Sequence, residues 1–147
     1  DEADQPYIDR FGCVPFFRSG TKDDLPDRVF LDPGFISGEA MKWLEGYYAW
    51  FRAKGARVYV SCACVNMDAV PEEQRNNVAL MDRLLRESVG QMEGVTLISS
   101  LEEYLYHELD FFDTNYHLIS QAAEKNTALW LRDLRAQMER DGVWEGV

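Results

Sequence analysis

The chain is short of several things, and each shortage removes a class of function. Lys and Arg number 15 against 26 Asp and Glu, so the formal net charge is −11. A surface of that sign repels phosphate backbones and anionic lipid faces, which argues against nucleic acid and membrane surfaces as partners. The stretch richest in Arg, residues 132 to 140, is itself interrupted by Asp133 and Glu139. No run approaches the ~20 apolar residues that a membrane-spanning helix needs. There is no signal peptide and no initiator Met before Asp1, which reads as a trimmed or processed product.

Cysteine is scarce and odd in number: Cys13, Cys62 and Cys64. Three thiols do not make a disulfide framework, and no C-x-x-C pair suggests zinc or redox chemistry. Cys62 and Cys64 stand two apart in a strand-like run. They are expected on the same face as buried free thiols. Histidine is scarcer still, with His107 and His117 only, and both fall in one short stretch.

What is present fits a globular α/β chain. Apolar residues make up 46% of 147, enough for a core, and no repeat or low-complexity segment interrupts the pattern. Residues 1–35 lack helical periodicity and read as an irregular arm. They carry short apolar pieces at Cys13–Phe17 and Val29–Leu31 and turns around Asp23–Asp27. Residues 36–147 read as the ordered body.

The body alternates helix and strand. Ile36, Ala40, Trp43, Leu44, Tyr47 and Phe51 recur at helical spacing over about 36–54, with Ser37 a candidate cap and Gly55 the stop. Residues 57–65 are β-branched, continuous and nearly uncharged, as in a strand covered on both faces. A helix over about 71–92 opens with Pro71 and keeps Val78, Met81, Leu85 and Met92 inward. Glu72 and Glu73 answer its dipole. Val95–Ile98 is a second strand, completing a βαβ unit. Ser100–Glu103 has the form of a capping box. The last helix, about 119–139, sets Ala123, Thr127, Trp130, Leu134 and Met138 on its inner stripe. The fold expected is a three-layer α/β/α domain with a short, mainly parallel sheet. Two strands alone leave edges unshielded. The arm must add strands, or the chain must pair with another partner. The aromatics Trp43, Tyr47, Tyr48, Trp50 and Phe51 are too many for one helical stripe, so some are expected at an interface.

The segment Tyr106 to Leu118 could carry chemistry. It follows the last strand, where open α/β sheets place their ligands. A carboxylate four residues before a histidine, as Asp113 stands to His117, can fix the imidazole tautomer and stabilise the imidazolium formed on proton uptake. On spacing alone, a surface Asp beside a helix-start His is an equal account. His107, Asp110, Asp113 and His117 also form a chemically sensible ligand set for a metal, although the spacing matches no specific zinc or iron motif.

Phe112 to Leu118, followed by Ala123-Glu124-Lys125 and Thr127, resembles the closing block of SGNH-type (GDSL-like) hydrolases. In that block the catalytic Asp and His come just before the final helix. Val58 to Asn66 resembles the strand and loop upstream of it in one bacterial branch. The resemblance spans about residues 36–135 and implies a partial flavodoxin-like SGNH fold, the C-terminal half of a serine esterase or acyl-transfer enzyme. It implies Asp113 and His117 as triad members, no cofactor, and an acylated carbohydrate as a substrate class. The branch often carries an N-terminal membrane anchor, which would place the parent at the bacterial membrane or outside it.

The chain departs from the block in three places. Three residues rather than two separate Asp113 from His117, Ile119 stands where an asparagine is expected, and Ala122 where a glycine is expected. None of Ser19, Ser37, Ser61, Ser88, Ser99, Ser100 and Ser120 sits on a glycine-flanked strand-to-helix turn, and no oxyanion-hole block is recognisable. The chain alone is therefore expected to be inactive as a hydrolase. The partner expected is the missing N-terminal half, or a second copy at a sheet edge. The alternative reading is a non-catalytic SGNH-like module for binding or assembly.

Overall fold

A computed structural model describes residues 19–20, 28–36 and 38–144. Cys13–Phe17, the turns at Asp23–Asp27 and the candidate cap Ser37 lie outside the described residues. The chain is mixed α/β, with helices α1 (Gly38–Arg52), α2 (Val78–Gly90) and α3 (Ser120–Arg140). Its strands are β1 (Val58–Val60), β2 (Val65–Asn66), β3 (Val95–Leu97) and β4 (Leu105–Tyr106). Among the described residues, no helix is long and apolar enough to cross a membrane.

Both strand pairings are parallel: β1 with β3, and β2 with β4. The βαβ unit read from the sequence is β1–α2–β3. The single strand expected over 57–65 is instead broken at Ser61–Cys64. From Val60↔Leu97 to Val65↔Leu105 the second chain spends more residues than the first, and the surplus coils into a 3-10 turn, Leu101–Tyr104. Across the gap a side chain replaces a ladder carbonyl: Ser99 Oγ accepts the Cys62 N–H at 2.6 Å. The break overturns the same-face expectation for the two thiols. Cys62 packs with Leu31, Met81 and Leu101, whereas Cys64 packs with Tyr106 and Phe111. Both are free, and burial pushes both thiols up from their ordinary range.

Two other expectations change. The helix over 71–92 begins as a 3-10 stretch, Glu72–Asn77, before becoming α2. Ser100 caps nothing with its side chain. The Leu101 N–H is instead taken by Asp82 Oδ1 of α2 at 2.7 Å, which ties helix to turn. Arg86 holds the same carboxylate at 2.7 Å and also donates to the Ser99 carbonyl at 2.8 Å. Part of the N-terminal arm joins the body: Leu31 is buried, its N–H donates to Gln74, and its carbonyl accepts from Asn77.

The two sides of the strands are covered differently. On one, Val58, Val60 and Leu97 meet Val89 and Met92, with Met41 and Tyr48 of α1 alongside. On the other lies α3, whose inner stripe is the expected one only in part: Ala123, Leu134 and Met138 are half-buried. Thr127 is exposed and Trp130 is 40% exposed, while Ala122 and Asp133 are buried. Three tyrosine hydroxyls fasten this helix: Tyr106 to Asn126 at 3.1 Å, Tyr104 to Asp133 at 3.0 Å, and Tyr59 to Asp141 just past its end at 2.6 Å. An apolar-periodicity reading cannot find the whole of such a stripe, because key residues in it are polar.

Candidate functional site

Beyond β4 the chain makes a 3-10 turn, Glu108–Asp110, and then a pinched loop from Phe111 to Leu118. Phe111 and Leu118 are buried at its base and bridge each other in antiparallel fashion. Phe112 N–H donates to the His117 carbonyl at 2.7 Å, and Ile119 N–H to that of Asp110 at 2.9 Å. At the tip, Thr114 Oγ1 accepts from the N–H groups of Tyr116 and His117, at 3.2 and 3.1 Å. This is the local turn chemistry that threonine supplies through its hydroxyl.

The loop is pinned to the sheet by an amide pair. Asn66, the last residue of β2, donates from Nδ2 to Asn115 Oδ1 at 2.7 Å, and each residue is 1% exposed. Asn66 Oδ1 in turn accepts the Asp68 N–H at 3.1 Å. A buried amide needs partners, because an unmade bond there costs about 1–3 kcal/mol. The pair therefore fixes where the loop sits and not only that it is closed. Asp68 holds the preceding turn. Its Oδ2 accepts the Glu108 N–H at 2.9 Å and lies 3.3 Å from His107 Nδ1. The Glu108 N–H, aided by His107 and Arg75, holds the Asp68 carboxyl below its ordinary value against the opposing effect of burial.

Asp113 and His117 flank the clamped tip and meet. Asp113 Oδ1 lies 2.8 Å from His117 Nδ1, with the side chains 33% and 51% exposed. Asp113 thus engages the ring through one nitrogen, Nδ1. His117 bonds to Asp113, Thr114 and Phe112. Ser99 and Ser61 lie elsewhere: Ser99 is buried under Cys62, and Ser61 donates to Ser99 at 3.3 Å.

The four-residue metal set does not converge. His107 turns to Asp68, while Asp110 turns back to accept the His107 N–H at 3.2 Å. Among the described residues, no group of three or more His, Cys, Asp or Glu side chains could hold a metal ion.

Sequence reasoning passed over Asp68 and the clamping role of Asn66 and Asn115. A signal was there: Asn66-Met67-Asp68 follows an apolar strand directly, where a polar side chain is either exposed or bonded. Ala122, at the position where the resemblance expects glycine, is buried among Tyr106, Phe111 and Leu118. Comparison with protein-family models, with curated proteins and with solved structures returns no match.

Proposed function

We propose that this chain is the C-terminal portion of an SGNH-like serine esterase or acyl-transfer hydrolase, with His117 as general base and Asp113 as its orienting carboxylate. The observation that carries this reading is the 2.8 Å contact from Asp113 Oδ1 to His117 Nδ1 on a loop clamped by buried amides. In a serine hydrolase the histidine takes the nucleophile's proton at Nε2 and returns it to the leaving group. The carboxylate holds the tautomer and stabilises the imidazolium between those steps. The serine and the oxyanion donors come from outside this chain, and without them the pair has little rate to contribute.

In this reading the fold is the flavodoxin-like three-layer arrangement. Helices α1 and α2 cover one side, α3 covers the other, and the loop after β4 lies at the carboxyl end of the strands, where such folds bind ligands. The substrate class is an acyl ester, with acylated carbohydrate favoured by the resemblance.

A serine-reactive fluorophosphonate, applied to the longest natural polypeptide containing this chain, tests the proposal. Labelling is expected, with His117→Ala reducing it at least about a hundredfold, in line with loss of a general base. Labelling undiminished in that variant removes His117 from the role. A folded, unlabelled polypeptide favours the second reading, a non-catalytic module for binding or assembly. One observation favours that reading independently: Trp43, Tyr47 and Trp50 stand 77%, 59% and 57% exposed on α1, a surface suited to association.

A further inference from the structure

At the opposite end of the strands from the Asp113–His117 loop, the half-buried side chain of Arg52 holds two guanidinium nitrogens without a hydrogen-bond partner. Arg52 is the last residue of α1, and its Nε and Nη1 are inaccessible to solvent and have no hydrogen-bond partner. The stem runs beneath Gly94. A Cβ at that position would come within 3.0 Å of Arg52 Cδ, and the positive φ of 65° there independently favours glycine. Arg52 lines a cavity of about 510 Å³ together with Arg57, the first residues of β1, Thr96 of β3 and Asp141.

A guanidinium cannot shed its charge, and burying its donors unpaired is among the costlier arrangements a fold can keep. The other charged groups on the cavity do not answer it. Asp141 is occupied: Oδ2 accepts from Tyr59 at 2.6 Å, Oδ1 accepts from Gln137 at 2.9 Å, and Arg57 stands 3.6 Å from Oδ2. That last distance is long for a charge-assisted bond. The Arg57 side chain is also 57% exposed. Two guanidinium groups thus border one cavity, on a protein whose net charge otherwise repels anions.

We infer that this cavity is a binding site for a small oxyanion, a carboxylate or a phosphate, held by the Arg52 and Arg57 guanidinium groups. Bidentate recognition of either anion is what the planar fork is suited to. Binding requires the Arg52 guanidinium to turn toward the cavity, since Nε and Nη1 are shut off from solvent. The site stands apart from the hydrolase reading and does not depend on it.

Thermal unfolding of the whole chain in phosphate, acetate and chloride, at matched ionic strength, provides the test. The expected result is a saturable rise in Tm with phosphate or with acetate over chloride, as binding to the folded state alone requires. A response to phosphate only assigns a phosphate ligand, and a response to acetate only assigns a carboxylate. Arg52→Met keeps the stem under Gly94 and removes the fork, so it should abolish the rise while leaving stability in chloride equal or higher. Arg57→Gln should weaken the apparent affinity about tenfold, the effect of losing a charged hydrogen bond. The inference fails if neither anion raises Tm above chloride, or if the rise survives intact in Arg52→Met. Should Arg52→Met not fold, an undiminished rise in Arg57→Gln overturns it.

Discussion

The two sides of the strands hold their helices by different physics. Against α2 and α1 the strands present Val58, Val60 and Leu97 to Val89, Met92 and Met41, a contact with no direction in it. Against α3 they present tyrosines, and each hydroxyl donates to a polar group on the helix or at its end. The phenols stay protonated donors across the neutral range, since all three are raised from their ordinary value. For Tyr59 the bond to Asp141 is the main cause, and for Tyr104 and Tyr106 it is burial. An apolar interface tolerates sliding by a fraction of a turn. A row of hydroxyl-to-acceptor bonds does not, so the polar side sets the register of α3. It is α3 that receives the Asp113–His117 loop, so the polar side also fixes the orientation of the candidate site.

The largest difference should come from deleting bulk on the apolar side. Met81 is buried between Leu31, Val70 and Leu101, and Met81→Ala is expected to lower stability by about 2–5 kcal/mol, read from the denaturant midpoint. On the polar side, Tyr104→Phe removes no bulk but takes the donor from Oδ2 of Asp133, which is 8% exposed, while Arg132 still holds Oδ1 at 2.6 Å. The expected loss is about 1.5–3 kcal/mol. Here the comparison can be broken. If the bond matters for register and less for net stability, Tyr104→Phe with Asp133→Leu should recover most of that loss. A double variant no better than the single would show the bond to be a net stabiliser.

Asn115→Ala sharpens the contrast at the end of the strands. It strands the Asn66 amide, and about 1–3 kcal/mol should go, again from the denaturant midpoint. Asn115→Asp keeps an acceptor for Asn66 Nδ2 and should lose less. The smallest effect concerns acid. Burial pushes the Asp82 carboxyl up, but its bonds to Arg86 and the Leu101 N–H outweigh this and hold it below its ordinary value of 3.8. A depressed value in the folded state means stability that is complete above the unfolded value and lost as pH falls through the folded one. Asp82→Asn should therefore cost about 1 kcal/mol at neutral pH, the scale of a lost cap, and flatten the fall in stability below about pH 4. Unfolding midpoints measured from pH 6 down to pH 2 read both.

Helices and strands were legible wherever burial is apolar. Val78, Met81, Leu85 and Met92 recur at helical spacing, and residues 57–65 and Val95–Ile98 are nearly uncharged runs rich in β-branched residues, so β1, α2 and β3 follow from pattern. The break at Ser61–Cys64 was not legible, since nothing in a continuous uncharged run announces that Ser99 will take a ladder position. The stripe of α3 was legible only in part, because Asn126 and Asp133 read as surface residues until their tyrosines are known. At the candidate site, spacing made the Asp113–His117 contact conceivable. Asn66 and Asp68, far off in sequence, were invisible as its support.

Composition and periodicity by themselves determined an acidic α/β chain, a parallel βαβ unit and a short stretch holding both histidines, because these follow from local preference and the need to bury apolar faces. Only the tertiary structure decided which polar groups meet: Asn66 with Asn115, Tyr104 with Asp133, the His107 ring with Asp68, and the Arg52 Nε and Nη1 with no partner. Hydrogen bonds are directional and join residues far apart in the chain. Their partners are set by the packed backbone and leave no period in the sequence.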